Sequence, residues 1–239
     1  MLPLSDGIRS RHFPIVTVAI ILANFGVWIF YELPHLNSAI YHASFYACSV
    51  ENNDCHAPMS WAFSWITSMF MHGSWDHILG NMLFLAIFGK NVEDAFGKLQ
   101  YLAFYFAGGF AATVLQTVMT LIFSNEAGEA VANLGASGAI AAVLGAYFVL
   151  YPNSRVLTLV FVFPVRIPAF VFLGLWFVYQ LIEALANTTH ANGGGVAFFA
   201  HVGGFLFGLV VANVFANRRG WDRQRGDYTP DYLTARFAR

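Results

Sequence analysis

Apolar residues in this chain run in long blocks, and the blocks set its architecture. A helix needs roughly 20 apolar residues to cross about 30 Å of hydrocarbon. Runs near that length occupy 14–33, 77–96, 99–123, 136–151, 168–186 and 199–216. The alternation expected of a transmembrane barrel is absent. The pattern therefore predicts an all-α integral membrane protein built as a six-helix bundle. The first run begins at Pro14, a residue tolerated in a first helical turn. It is too long for the apolar region of a signal peptide and reads as a retained anchor. The chain divides into an N-terminal segment 1–13, a membrane domain 14–216 with a long first loop 34–76, and a tail 217–239.

The basic residues orient these spans. Arg9 and Arg11 precede the first, Lys90 and Lys98 flank the turn between the second and third, and Arg155 and Arg166 separate the fourth and fifth. Arg218, Arg219, Arg223, Arg225, Arg236 and Arg239 follow the sixth. If all six runs cross, all 12 lysines and arginines fall on one side, and the opposite loops 34–76, 124–135 and 187–198 hold none. The positive-inside rule then puts both termini in the cytoplasm.

Composition agrees with a membrane protein. The chain is 58% hydrophobic and 10% charged, with 25 phenylalanines, against about 25% charged in soluble domains. A net charge of −1 without a basic groove-sized patch excludes a nucleic-acid partner. A multi-pass protein of a prokaryotic-type plasma membrane is the expected location. Cys48 and Cys55 share the external loop and either pair there or stay two small apolar residues. Trp61 and Trp65, one helical turn apart, suggest that this loop lies half-submerged against the bundle.

Polar residues at span ends carry the candidate chemistry, because intramembrane polar groups default to function. His72, His77 and Asn81 open the second span, Ser137 the fourth and His201 the sixth. All sit within roughly one turn of the external face, a shared depth that unrelated structural residues would have no reason to adopt. The fourth run, 136–151, is 16 residues long and covers only about 24 Å, so Ser137 should lie sunken in a water-lined recess. Small residues line spans four and six, including Gly138, Ala141, Ala142, Gly145, Gly204 and Gly208. Packing through those faces would bring Ser137 toward His201.

A serine beside a histidine is a nucleophile with its base. No acid lies at the right depth beside His201, Glu183 being the nearest by depth, so the sequence predicts a dyad. Asn81 and His77, at i and i+4 spacing, can aim donors at one developing oxyanion, and the Ser137 N–H near a helix start would add another. A metal is disfavoured, since His72 and His77 do not share a helical face and no HExxH pattern occurs. No cofactor is called for.

These residues resemble the rhomboid family of intramembrane serine proteases. Gly135-Ala136-Ser137-Gly138 matches its GxSG motif, Ala200-His201 with Gly204 and Gly208 its AHxxGxxxG pattern, and His72 through His77 to Asn81 its loop-and-second-helix pattern. The motifs stand in the family's order. The resemblance implies Ser137 as nucleophile, His201 as general base, Asn81 and His77 as oxyanion donors, and His72 as a residue steadying the first loop. It implies transmembrane protein substrates cut near the external face, in the bilayer and without metal. Trp176 and Phe177 are candidate gate residues, and Gly193-Gly194-Gly195 a candidate flexible cap.

Two positions depart from the family pattern. Phe63-Ser64 stands where many relatives carry Trp-Arg, and Ala141 stands where some place an aromatic ring against the base. The alternative function is a non-catalytic rhomboid-like protein that binds and escorts membrane helices. A transporter is disfavoured by the lack of an internal repeat and of paired charges at mid-bilayer.

Overall fold

The computed structural model describes residues 2–51, 55, 57–187, 197–222 and 227–228. The glycine run 193–195 and the basic residues Arg223, Arg225, Arg236 and Arg239 lie outside the described residues. Strand β1 (Leu2–Ser5) leads to α1 (Ile15–Val27), which passes through a π turn and a 3₁₀ turn into α2 (Leu36–Ala43). Helix α3 (Trp61–Thr67) lies in the first loop. Helix α4 (Trp75–Phe84) continues through a second π turn into α5 (Lys90–Phe96), followed by α6 (Lys98–Phe123) and the short α7 (Glu126–Glu129). Helix α8 (Ser137–Leu150) precedes a hairpin of β2 (Arg155–Val160) and β3 (Phe163–Pro168). Then come α9 (Ala169–Asn187), α10 (Phe198–Arg219), and the short pair β4 (Trp221–Asp222) and β5 (Asp227–Tyr228).

Among the described residues, four helical segments are long and apolar enough to cross a membrane: Ile15–Ala43, Lys98–Phe123, Ala169–Ala186 and Phe198–Arg219. The other two apolar runs are helical but differ in kind. The run 77–96 is split by the π turn at Leu85–Gly89, where a Cβ on Gly89 would lie 2.7 Å from the Tyr101 hydroxyl. The run 136–151 becomes α8, whose 14 residues span about 21 Å. Helix α8 is buried on every side, Gly138 through Tyr147 without exception, as expected of a helix with no polar face.

Helix α8 packs against α10 with almost no space between backbones. A Cβ on Gly204 would collide with the Gly138 carbonyl oxygen, one on Gly208 with that of Ala142, and one on Gly145 with that of Phe205. Small residues permit this approach, which in a membrane supplies the dispersion contacts that hold helices together.

The three-stranded sheet departs from the all-helical expectation. β1 pairs antiparallel with β2 and β2 with β3. Residues 152–167 only separate the fourth and fifth apolar runs in the sequence, but Val156, Thr158, Val160, Val165 and Ile167 are β-branched residues that favour a pleated surface. Val156 and Thr158 are buried, and Phe161, at φ 54°, turns the hairpin.

The sheet lies at the basic end of the bundle, at the far end of α8 from Ser137. There buried Asp6 meets Lys90 Nζ at 3.0 Å, the Tyr147 hydroxyl at 3.0 Å and the Asn91 amide. Nearby, Glu93 caps the start of α1 by accepting the N–H groups of Val16 and Thr17 and the Thr17 hydroxyl at 2.8–3.0 Å. Glu93→Gln would turn an amide NH₂ toward one of these donors. It should cost about 1–3 kcal/mol of stability, read as a lower Tm in detergent.

The first loop packs against the bundle. Trp65 meets Phe110 of α6 edge-on at 5.1 Å, and Trp75 meets Trp28 at 5.4 Å. Trp61 remains about half exposed, so the two loop tryptophans do not share a buried face. Cys48 and Cys55 form a disulfide.

Candidate functional site

Ser137 is the first residue of α8, so its N–H precedes the helix's own hydrogen-bond ladder. The chain reaches it through Gly135, at φ +123°, a conformation that side chains rarely adopt. The Gly135 N–H donates to the Ser68 carbonyl at 2.8 Å, tying the approach to the first loop. A Cβ at Gly135 would lie 2.8 Å from His77 Nε2 and 3.6 Å from Ser137 Oγ. The empty side of this glycine is therefore where the serine and the imidazole converge.

His77 is fixed by its own helix start. Ser74 caps α4 by accepting the His77 N–H at 3.2 Å. The Gly73 N–H points at His77 Nδ1 at 3.4 Å. A nitrogen that accepts carries no proton, so the proton sits on Nε2, the atom facing Gly135 and Ser137. One turn on, buried Asn81 has an Nδ2 without a hydrogen-bond partner among the described residues. Its donors are thus uncommitted.

His72 supports this arrangement from behind. It is fully buried, and its ring meets that of His77 edge-on at 5.0 Å. Its N–H donates to Glu32 Oε1 at 2.6 Å, and its Nδ1 bonds the Phe70 carbonyl at 3.3 Å. Burial, and next the neighbouring His77, pushes the His72 imidazole down to about 3. It is neutral near pH 7.

His201 lies in the first turns of α10, whose Ala200 N–H donates to Gln116 Oε1 of α6 at 3.1 Å. Across the interface, the Cβ and carbonyl oxygen of Ala200 both come within 3.8 Å of where a Gly138 Cβ would sit. Ser137 and His201 thus occupy adjoining stretches of the α8–α10 contact, with no hydrogen bond between them among the described residues. The bond His201 does make is to Gln180 of α9, Nδ1 to Oε1 at 2.7 Å. No acid takes that place.

Trp176 lies 5.9 Å from the His201 ring at 37°, and Phe177 stacks on Phe205 at 4.6 Å. Both gate candidates therefore pack on α10. A recess of about 20 Å³ beside Ser137, lined by Ser68, Asn133 and Thr113 among others, has room for about one water.

Sequence reasoning missed Gln180 and Gln116. Their signal was present: each is an amide inside an apolar run, and such residues in spans seek partners on other helices.

Residues 60–218 match the rhomboid domain family. The chain is similar to the mitochondrial presenilin-associated rhomboid-like protein of Bos taurus, 29% identical over 209 residues, covering 86% of this chain and 48% of that protein. It is 31% identical over 163 residues to RHOMBOID-like protein 1 of Arabidopsis thaliana, covering 67% of this chain and 37% of the relative. Rhomboid-related protein 2 of Mus musculus is 25% identical over 216 residues, 83% of this chain and 63% of that one. The chain spans about half the length of the curated relatives it matches. These relatives are mammalian and plant proteins, one of them named mitochondrial, so they lend nothing to a prokaryotic plasma membrane in particular. With the family match covering 60–218 and the apolar helices described above, this chain is a multi-pass membrane protein that belongs to the rhomboid family.

Proposed function

We propose that this protein is an intramembrane serine endopeptidase that cleaves transmembrane segments of other proteins near the external membrane face. The reading has six spans within 14–216 and both termini in the cytoplasm, with 1–13 and the tail 217–239 on that side. It rests on one observation above all: His77 Nε2 and Ser137 Oγ both border the open side of Gly135, within 3.6 Å of its Cβ position, and the Asn81 amide one turn beyond His77 is uncommitted among the described residues. That is a nucleophile with donors where an oxyanion would form.

In this mechanism Ser137 Oγ attacks the substrate carbonyl and His201 Nε2 takes its proton. The oxyanion is held by His77 Nε2–H, the Asn81 amide and the Ser137 N–H. The C–N bond then breaks, and the proton passes from His201 to the leaving nitrogen. Water from the recess beside Ser137 then attacks the acyl carbon, giving a proton to His201, which returns it to Ser137 Oγ as the C–Oγ bond breaks. His72 keeps the His77 ring in place, and Trp176 and Phe177 act as the gate, because Trp176 stands against the His201 ring and both pack on Phe205 of α10.

The test is a fluorophosphonate probe on the detergent-purified chain, with the labelled peptide mapped, beside cleavage of a fusion carrying a transmembrane segment. Labelling at Ser137 together with cleavage supports the protease. Binding of the fusion without labelling or cleavage supports the escort function instead. Asn81→Ala should lower kcat by about 100- to 1000-fold, the loss typical of one oxyanion donor. An unchanged KM would place the effect in the transition state.

A further inference from the structure

His201 is oriented from α9, a helix that carries none of the recognised motif residues. Its Nδ1 lies 2.7 Å from Gln180 Oε1, with the two side chains 8% and 5% exposed. One turn earlier on the same helix, Trp176 sets its ring against the imidazole. An amide oxygen can only accept, so the proton of the neutral ring belongs on Nδ1 and the lone pair on Nε2.

We infer that Gln180 is a positioning residue for the base, holding His201 in the Nδ1–H tautomer so that Nε2 can receive the serine proton. The inference deepens the protease reading and rests on it. As the bond forms between Ser137 Oγ and the carbonyl carbon, the Oγ proton moves to Nε2. The ring is then an imidazolium with Nδ1–H still donating to Gln180. When the C–N bond breaks, the Nε2 proton goes to the leaving nitrogen and the ring returns to the Nδ1–H tautomer.

One physical fact favours an amide here. A carboxylate beside His201 would have to be stripped of water inside a span, whereas a neutral oxygen orients the ring without a buried charge. The same helix also supplies a ring contact through Trp176, alongside the edge-on contact from Phe198 of α10 at 6.3 Å.

The outer partners therefore divide the two imidazoles by role. The Gly73 N–H directed at Nδ1 makes His77 an Nε2–H donor, and Gln180 makes His201 an Nε2 acceptor.

The test uses the full chain labelled with [15N]histidine, with His201 assigned by comparison with His201→Asn, together with kinetics on the transmembrane fusion. The expected wild-type spectrum has His201 protonated at Nδ1 and bare at Nε2. Gln180→Leu should lose that single tautomer and lower kcat by about 100-fold, the level reached by outer partners of functional histidines. KM should stay within about twofold, because substrate contacts are untouched. Gln180→Glu, which keeps a carbonyl oxygen able to accept from Nδ1–H, should restore the tautomer and bring kcat to within about tenfold of wild type.

A merely structural glutamine would not produce that pattern of loss and rescue. Wild-type His201 protonated at Nε2, or Gln180→Leu with unchanged spectrum and kcat, overturns the assignment and leaves the protease standing. A wild-type chain that neither labels nor cleaves removes the protease and this role with it. Gln180→Met replaces the leucine variant if that one does not fold.

Discussion

Ser137→Ala should abolish both fluorophosphonate labelling and cleavage while leaving the Tm close to wild type. The size of the loss follows from the chemistry. Removing a serine nucleophile leaves only what oxyanion donors and binding supply, and the fall in kcat reaches about 10⁶-fold. The fold should survive because Ser137 is only partly buried at the first residue of α8 and its Oγ carries no hydrogen bond among the described residues. No buried partner is left unsatisfied. His201→Ala should match it in cleavage, and the double variant should be no worse than either single one, because the two residues work as a unit. Substantial cleavage by Ser137→Ala would refute the mechanism.

Gly208→Ala should have the largest effect on stability, although it adds a single methyl group. Its Cβ would overlap the Ala142 carbonyl oxygen and lie 3.0 Å from the Ala142 Cα. Backbone atoms cannot rotate away as a side chain can, so α8 and α10 would have to separate. The expected cost is about 3 kcal/mol, the upper part of the usual range for overpacking. Activity should fall too, since the same contact sets His201 beside the start of α8. Gly26→Ala is the control: nothing lies within 4 Å of its Cβ position. There the exchange should stabilise α1 by about 0.5–1 kcal/mol. Thermal unfolding of both variants in the same detergent decides the comparison, and equal Tm shifts would contradict the packing account.

Much of the site was legible in the linear order of residues, for a definite reason. A membrane turns position along a span into depth, so Asn81, Ser137 and His201 could be aligned by counting from span ends. The shortness of the fourth apolar run likewise anticipated a short helix, and α8 is 14 residues long. Tautomers could not be read in this way. They depend on which atom of another element faces each ring nitrogen, and Gly73 and Gln180 take up those places only once the chain is folded.

Hydrophobic blocks and motif spacing by themselves determined that this chain is a helical membrane protein of rhomboid type, because the bilayer imposes length and polarity on every segment that enters it. Tertiary structure alone decided three other matters. It decided that β1, far away in sequence, closes a sheet with the β2–β3 hairpin, since strand pairing depends on a partner that no local pattern names. It decided that Cys48 bonds Cys55, since pairing requires the two sulfurs to meet in space. It also decided that an amide on α9 holds the ring of His201, since a buried polar atom is satisfied by whichever neighbour the packing delivers.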